Sequence, residues 1–136
     1  MLGAAGAETC PWMNAATASG FLGGDVTAKF TPDAAMKGAG VCEFSRAGNF
    51  ASATLRIEVS LMHAPATEFA AFLAKCGSDA KPLKAIGNEA VTCSLPHKVS
   101  RVTGRVRDQA FVITLTPEAQ QGSIEKAAEI VAGNLF

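Results

Sequence analysis

The sequence lacks the features of membrane-spanning and disordered chains. No apolar run approaches the roughly 20 residues that a helix needs to cross a bilayer, and no linker or low-complexity segment interrupts the chain. Hydrophobic residues make up 49% and charged residues 18% of its 136 residues, a composition typical of a globular protein. The sequence therefore predicts a folded chain with its own core and no transmembrane segment.

An excess of charge of one sign is missing as well. Twelve basic residues balance twelve acidic ones, although the segment 81–107 is locally basic. A basic patch of this size is smaller than the surface that duplex nucleic acid usually requires. No nucleic-acid partner is therefore expected.

Most motifs of catalytic sites are also absent. The sequence has no C-x-x-C pair, zinc knuckle, glycine-rich phosphate loop or nucleophile elbow, and its only histidines are His63 and His97. This pattern favours a non-enzymatic protein without a cofactor or a metal. The alternative is a thiol-redox or metal-assisted enzyme that uses Cys10 or the histidines, since a thiol at the start of a helix ionises readily.

The cysteines that are present number four, at positions 10, 42, 76 and 93, and they allow three disulfide pairings. Apolar alternation puts Cys42 and Cys93 on inward strand faces, and helical spacing puts Cys76 on an inward helix face. Pairing in sequence order, Cys10–Cys42 and Cys76–Cys93, ties each helix to a neighbouring strand and is preferred. Structural disulfides imply an oxidising compartment, so we predict a periplasmic or secreted protein.

The first seven residues, MLGAAGA, are small and apolar. Ala5-Gly6-Ala7 fits the A-x-A pattern that precedes a signal-peptidase cleavage site. Residues 1–7 are therefore predicted to be a signal-peptide remnant or a tag, and residues 8–136 a single α+β domain.

The spacing of apolar residues predicts three helices and six to seven strands. A helix over 11–22 precedes strands in VTAKFT, GVCEF and TLRIEVSL, a helix in ATEFAAFLAKCG, strands in AVTCSL, RVTGRVR and AFVITLT, and a helix in SIEKAAEIVAGNLF. The last two strands match on both faces if Asp108-Gln109 is their turn. Short connections indicate an antiparallel sheet, in the order α-β3-α-β3/4-α, with helices on one face and water on the other.

A row of arginines occurs in RVTGRVR. Arg101, Arg105 and Arg107 fall, with Thr103, on the strand face that is predicted to meet solvent. Guanidinium groups on alternating positions can hold a carboxylate, a phosphate or an acidic surface. These four residues are the candidate binding site, for a small anionic ligand or an envelope protein. The alternative is a solvated strand face whose charges discourage aggregation.

Two stretches resemble a known group of proteins. The turn Gly87-Asn88-Glu89-Ala90 and the segment CPWMNAATASGFLGG, which holds Cys10 and Gly23-Gly24, are similar to small secreted bacterial proteins of unknown function, including actinobacterial lipoprotein domains with a GlGdeA turn. The order of elements also resembles the PsbP-like α+β fold, whose members are mostly accessory or assembly factors. The resemblance implies an exported accessory domain. The chain departs from the lipoproteins because no cysteine directly follows the cleavage pattern.

Overall fold

Alternating apolar residues form the strands at the centre of the structure. The computed structural model describes residues 9–46, 53–77, 79–116 and 123–136. On one central strand Leu55, Ile57 and Val59 are buried, while Arg56 between them is exposed. This period of two is the pattern of a strand with one face against a core.

In the described part of the chain, three helices and seven strands follow one another. They are α1 (Ala15–Leu22), β1 (Val26–Pro32), β2 (Gly40–Arg46), β3 (Thr54–Leu61), α2 (Pro65–Ala74), β4 (Lys81–Leu83), β5 (Glu89–Leu95), β6 (Val99–Val106), β7 (Gln109–Thr116) and α3 (Ser123–Leu135). Within the described residues, none of the helices has the length and apolar character needed to span a membrane. The predicted signal-peptide remnant or tag at 1–7 lies outside the described residues.

The seven strands form one antiparallel sheet in the order β1-β2-β3-β7-β6-β5-β4. The chain runs through two meanders, β1 to β3 and β4 to β7, and the pairing of β3 with β7 joins them. The predicted antiparallel α+β sheet is confirmed.

The first helix begins later than predicted. The side chain of Asn14 accepts a hydrogen bond from the Thr17 N–H at 2.8 Å, so Asn14 is the N-cap and Pro11 precedes the helix. The helix ends as predicted at Gly23, whose φ of 81° is accessible to glycine at no steric cost. Residues 10–13 instead form an irregular segment in which Trp12 and Met13 are buried.

The helices do not all lie on one face, which corrects the prediction. α1 and α3 cover the face that carries Ile57 and Ile113. α2 packs on the opposite face, where Phe69 forms a second cluster with Met62 and Ala110. The sequence pattern missed this because the apolar stripe of α2 is equally compatible with either face, and α1 and α3 already occupy the first one.

The two-residue turn of the β6–β7 hairpin lies one residue earlier in the chain than predicted. Val106 pairs with Gln109, so the turn is Arg107-Asp108 and the register differs by two residues from the expected one. A shift of two residues leaves every side chain on its face, because the side-chain period of a strand is also two. Arg107 moves from the strand into the turn, with a φ of 56°.

Both preferred disulfides are present. Cys10 is bonded to Cys42 with the Cα atoms 5.8 Å apart, and Cys76 to Cys93 with the Cα atoms 5.6 Å apart. No cysteine of the chain is free. The two disulfides indicate an oxidising, extracytoplasmic compartment.

Candidate functional site

Arg101, the first of the predicted site residues, is held by two neighbours. Its Nε donates to the Thr114 hydroxyl at 3.2 Å, and its Nη1 donates to the Lys75 carbonyl at 3.2 Å. The second bond satisfies a carbonyl just beyond the end of α2, where a cation is favourable. Arg101 therefore joins α2 to the sheet.

Arg105 and Arg107 lie apart from it. The Nε of Arg105 lies 2.7 Å from the Glu89 carboxylate, and its Nη1 donates to the Arg107 carbonyl at 2.9 Å. Arg107 lies in the turn, with its guanidinium 6.0 Å from the centre of the Phe136 ring. The two residues are neighbours at one end of β6, away from Arg101.

Thr103 does not face solvent. It is fully buried, and its hydroxyl lies 3.9 Å from the Cys76 sulfur at the end of α2. The prediction of a solvent-facing row is therefore wrong for Thr103, which α2 covers, and for Arg107, which left the strand. Anion binding by Arg101, Arg105 and Arg107 stays a prediction.

The residues of the alternative enzymatic interpretation are not brought together. Cys10 is buried in its disulfide with Cys42. His63 follows β3 at the end where Leu61 pairs with Gln109, whereas His97 lies in the β5–β6 turn, at the other end of β7. Among the described residues, no three His, Cys, Asp or Glu side chains are grouped to hold a metal ion.

The structure contains a cleft that the sequence pattern did not predict. It has a volume of about 500 Å³ and lies between the segment that precedes α1, strand β1 and the loop 33–39. Apolar side chains dominate its walls, and its charged residues are Asp33 and Lys37. The side chains that define it are Pro11, Trp12, Phe30, Pro32, Met36 and Lys37.

The wall formed by Trp12 is held in place from three directions. Its ring meets the Phe30 ring edge to face, with centroids 5.6 Å apart. The Asn134 amide of α3 donates to its carbonyl at 2.8 Å. Two residues earlier, the Cys10–Cys42 disulfide ties the segment to β2. This side of the cleft is therefore preorganised.

The opposite wall is a loop closed by its own hydrogen bonds. One carboxylate oxygen of Asp33 accepts the N–H groups of Ala35 and Met36 at 2.8 and 2.9 Å. The Asp33 N–H donates to the Ala39 carbonyl at 3.0 Å, and the Ala39 N–H to the Met36 carbonyl at 3.2 Å. An aspartate that bonds the backbone two residues on is the turn chemistry expected of this residue type. Hydrogen bonds within the loop therefore fix the shape of this wall.

No family model, curated protein or solved structure matches the chain. The resemblance to secreted lipoprotein domains and to the PsbP-like fold therefore stays a prediction. The sequence signal that could have located the cleft is Pro11-Trp12, a proline and the single tryptophan beside a disulfide cysteine, facing a loop of small residues.

Proposed function

We propose that this chain is an exported binding or accessory module, periplasmic or secreted, that holds a partner or ligand in the cleft at Trp12. The observation that carries the proposal is an open apolar cleft with ordered walls. Its volume of about 500 Å³ lies within the range of ligand sites in proteins. Burial of an apolar group against apolar walls contributes about 25 cal/mol of binding free energy per Å² of apolar surface removed from water.

The lining favours binding over catalysis. The titratable side chains at the cleft are Asp33 and Lys37, and one oxygen of Asp33 is engaged by two backbone N–H groups. Among the described residues, the lining of the cleft includes no histidine, cysteine, serine or threonine that could serve as a nucleophile or a proton shuttle. A group bound here is positioned and released unchanged.

Trp12 provides a direct test, because it is the only tryptophan of the chain and lines the cleft. An anilinonaphthalene sulfonate dye should quench Trp12 by energy transfer when it enters the cleft of the folded protein. Met36→Asp places a charge in the wall and should weaken dye binding by about tenfold or more, since burying a methionine side chain contributes roughly 1.5–3 kcal/mol.

Phe136→Asp is the matched control. Phe136 is 72% exposed and lies outside the cleft, so this variant also exchanges an apolar surface residue for aspartate. It should bind the dye as the original protein does. Equal affinity of the Met36→Asp variant, with unchanged folding by circular dichroism, contradicts the proposal.

A further inference from the structure

Strand β1 lies at one edge of the sheet. Its backbone N–H and C=O groups point alternately toward β2 and away from it. The Asp33 N–H donates to the Ala39 carbonyl directly opposite, which identifies the odd-numbered residues of β1 as those bonded to β2. The Arg46 N–H donates to the Ala53 carbonyl, so the even-numbered residues of β2 point to β3. The two hydrogen bonds agree, since both imply that the odd-numbered residues of β2 bond to β1 and the even-numbered residues bond to β3.

The even-numbered residues of β1 therefore direct their backbone groups away from the sheet. Val26, Ala28 and Phe30 present N–H and C=O groups at this edge, and none of them hydrogen-bonds to another part of the described chain. Pro32, at the end of the strand, has no N–H to offer. Within the residues that the structure describes, a ladder of three residues is therefore open to an additional strand.

The open edge is continuous with the cleft. Phe30 belongs to both, since its backbone faces the free edge and its ring forms a wall beside Trp12. A strand that pairs with β1 would place the side chain opposite Phe30 on the same face as the Phe30 ring, because paired residues share a face. That side chain would enter the cleft.

The charges along β1 select the partner. Lys29 is opposite Glu43, which is opposite Arg56 with its carboxylate 3.9 Å from the Arg56 Nε, so the signs alternate across the sheet. Asp25 and Asp33, both exposed, flank the strand at equal distance from Lys29. A second copy aligned along the whole strand would oppose Lys29 to Lys29 and Asp25 to Asp33, which is unfavourable.

From this we infer that the free edge of β1 captures an extended segment of a partner protein as an antiparallel strand. The segment carries an acidic residue opposite Lys29, an apolar residue opposite Phe30 that fills the cleft, and basic residues opposite Asp25 and Asp33. The inference rests on the proposed function and adds to it the class of partner and its backbone register.

The probe is a nine-residue peptide that spans the positions opposite Asp33 to Asp25. It has lysine at both ends, leucine fourth, glutamate fifth and β-branched residues elsewhere. Its binding to the full chain should change Trp12 fluorescence and slow amide exchange at Ala28 and Phe30. A peptide with glutamate ends and a central lysine should bind roughly threefold to tenfold more weakly, because like charges then face each other.

Two N-methylated peptides test the backbone ladder. The amide of the sixth residue, opposite Ala28, donates to β1, whereas the amide of the fifth residue points away. Methylation of the sixth amide should reduce affinity by about tenfold, since one hydrogen bond is lost and the methyl group fills its place. Methylation of the fifth amide should leave affinity within about twofold.

Two protein variants complete the test. Lys29→Glu should reduce the preference for the first peptide without altering the backbone, because its central glutamate then faces a like charge while its terminal lysines still face Asp25 and Asp33. Ala28→Pro removes an N–H that points to the free edge and not to β2, as edge strands tolerate, and should abolish peptide binding. If the proline variant fails to fold, the smaller preference of the Lys29→Glu variant and the methylated pair still decide the question.

The outcomes separate this inference from the proposed function. Equal binding of both charged peptides together with equal effects of both methylations overturns the strand pairing. If the dye still binds at Trp12 in that case, the cleft remains a binding site and only its occupant was wrongly identified. Concentration-dependent dimerisation that the Ala28→Pro variant loses would also overturn the inference, because a second copy would then be the occupant.

Discussion

At the scale of the residue, Gly104 sets how closely the two strands of the β6–β7 hairpin and the core beneath them can pack. It is opposite Phe111, whose ring is fully buried. A Cβ built on Gly104 would overlap the Phe111 Cζ, with Cε2 at 2.9 Å and the Ala90 Cβ at 3.0 Å. The ring therefore occupies the space that any other residue would need.

Gly104→Ala should consequently destabilise the protein by about 1–3 kcal/mol, because Phe111 must shift within a filled core. The measurement is the free energy of unfolding in guanidinium chloride. The matched control is Gly133→Ala in α3, where a Cβ would have no neighbour within 4 Å. That variant should gain roughly 0.5–1 kcal/mol, since alanine is the better helix former. A Gly104→Ala protein as stable as the control variant would show that Phe111 is not held against this site.

At the scale of the element, α2 depends on few contacts. Phe69 is its one buried residue, and it packs on the small cluster of Met62 and Ala110. Glu68 accepts the N–H groups of His63 and Ala64 at 2.9 and 2.6 Å and so caps the first turn. Cys76 lies two residues beyond the other end of the helix, and its bond to Cys93 fixes that end to β5.

Replacing Cys76 and Cys93 together by alanine should therefore loosen α2 before the rest of the fold. The chain-entropy estimate for a loop of 17 residues is about 3 kcal/mol. Amide hydrogen exchange in α2 should accelerate selectively, since this helix lies outside the main core. The control replaces Cys10 and Cys42, which lie in the main core. Faster exchange spread evenly over the sheet in the Cys76/Cys93 variant would contradict this prediction.

At the scale of the whole molecule, the two disulfides cross-link the two meanders separately. Cys10–Cys42 lies in the first half of the chain and Cys76–Cys93 in the second. The pairing of β3 with β7 is what makes one sheet of the two halves. This pairing is supported by the main core of α1, α3 and the shared face of the strands.

Reduction of both disulfides should bring the folded state close to the limit of its stability. Loops of 32 and 17 residues account for roughly 4 and 3 kcal/mol, against a typical total of about 5–15 kcal/mol for a domain. The reduced and alkylated protein should lose the near-ultraviolet signal of Trp12 at a much lower guanidinium concentration. A midpoint unchanged by reduction would show that the core alone sustains the fold, and would weaken the argument for an oxidising compartment.

Much of the local structure could be predicted from single segments. The alternation in TLRIEVSL determined which side of β3 is buried, and the spacing of Ile124, Ala127, Val131 and Leu135 determined the inner face of α3. The preferred cysteine pairing, which rested on the order of helices and strands, is also the one present. Such patterns are readable because their cause, the burial of one face with the period of the backbone, operates within a few residues.

The site could not be predicted in the same way. Arg101 and Thr103 alternate with apolar residues, which is the pattern of a strand with one face in solvent. In the structure, however, α2 covers Thr103, and the Lys75 carbonyl at the end of α2 accepts a hydrogen bond from Arg101. The cleft brings Trp12, Phe30 and Met36 together from three separate segments. No short stretch contains that information, because it depends on how segments far apart in the chain pack.

The sequence by itself determined the types of most elements, the buried faces of β3 and β7 and a preferred pairing of the four cysteines. The tertiary structure alone decided that β3 pairs with β7, that α2 lies on the second face and that β1 leaves a free edge beside a cleft. The physical reason is competition for surface. Each apolar stripe must be buried somewhere. Because α1 and α3 together fill one face of the sheet, α2 packs on the other face. Which strand lies at the edge is decided only when the whole sheet has assembled.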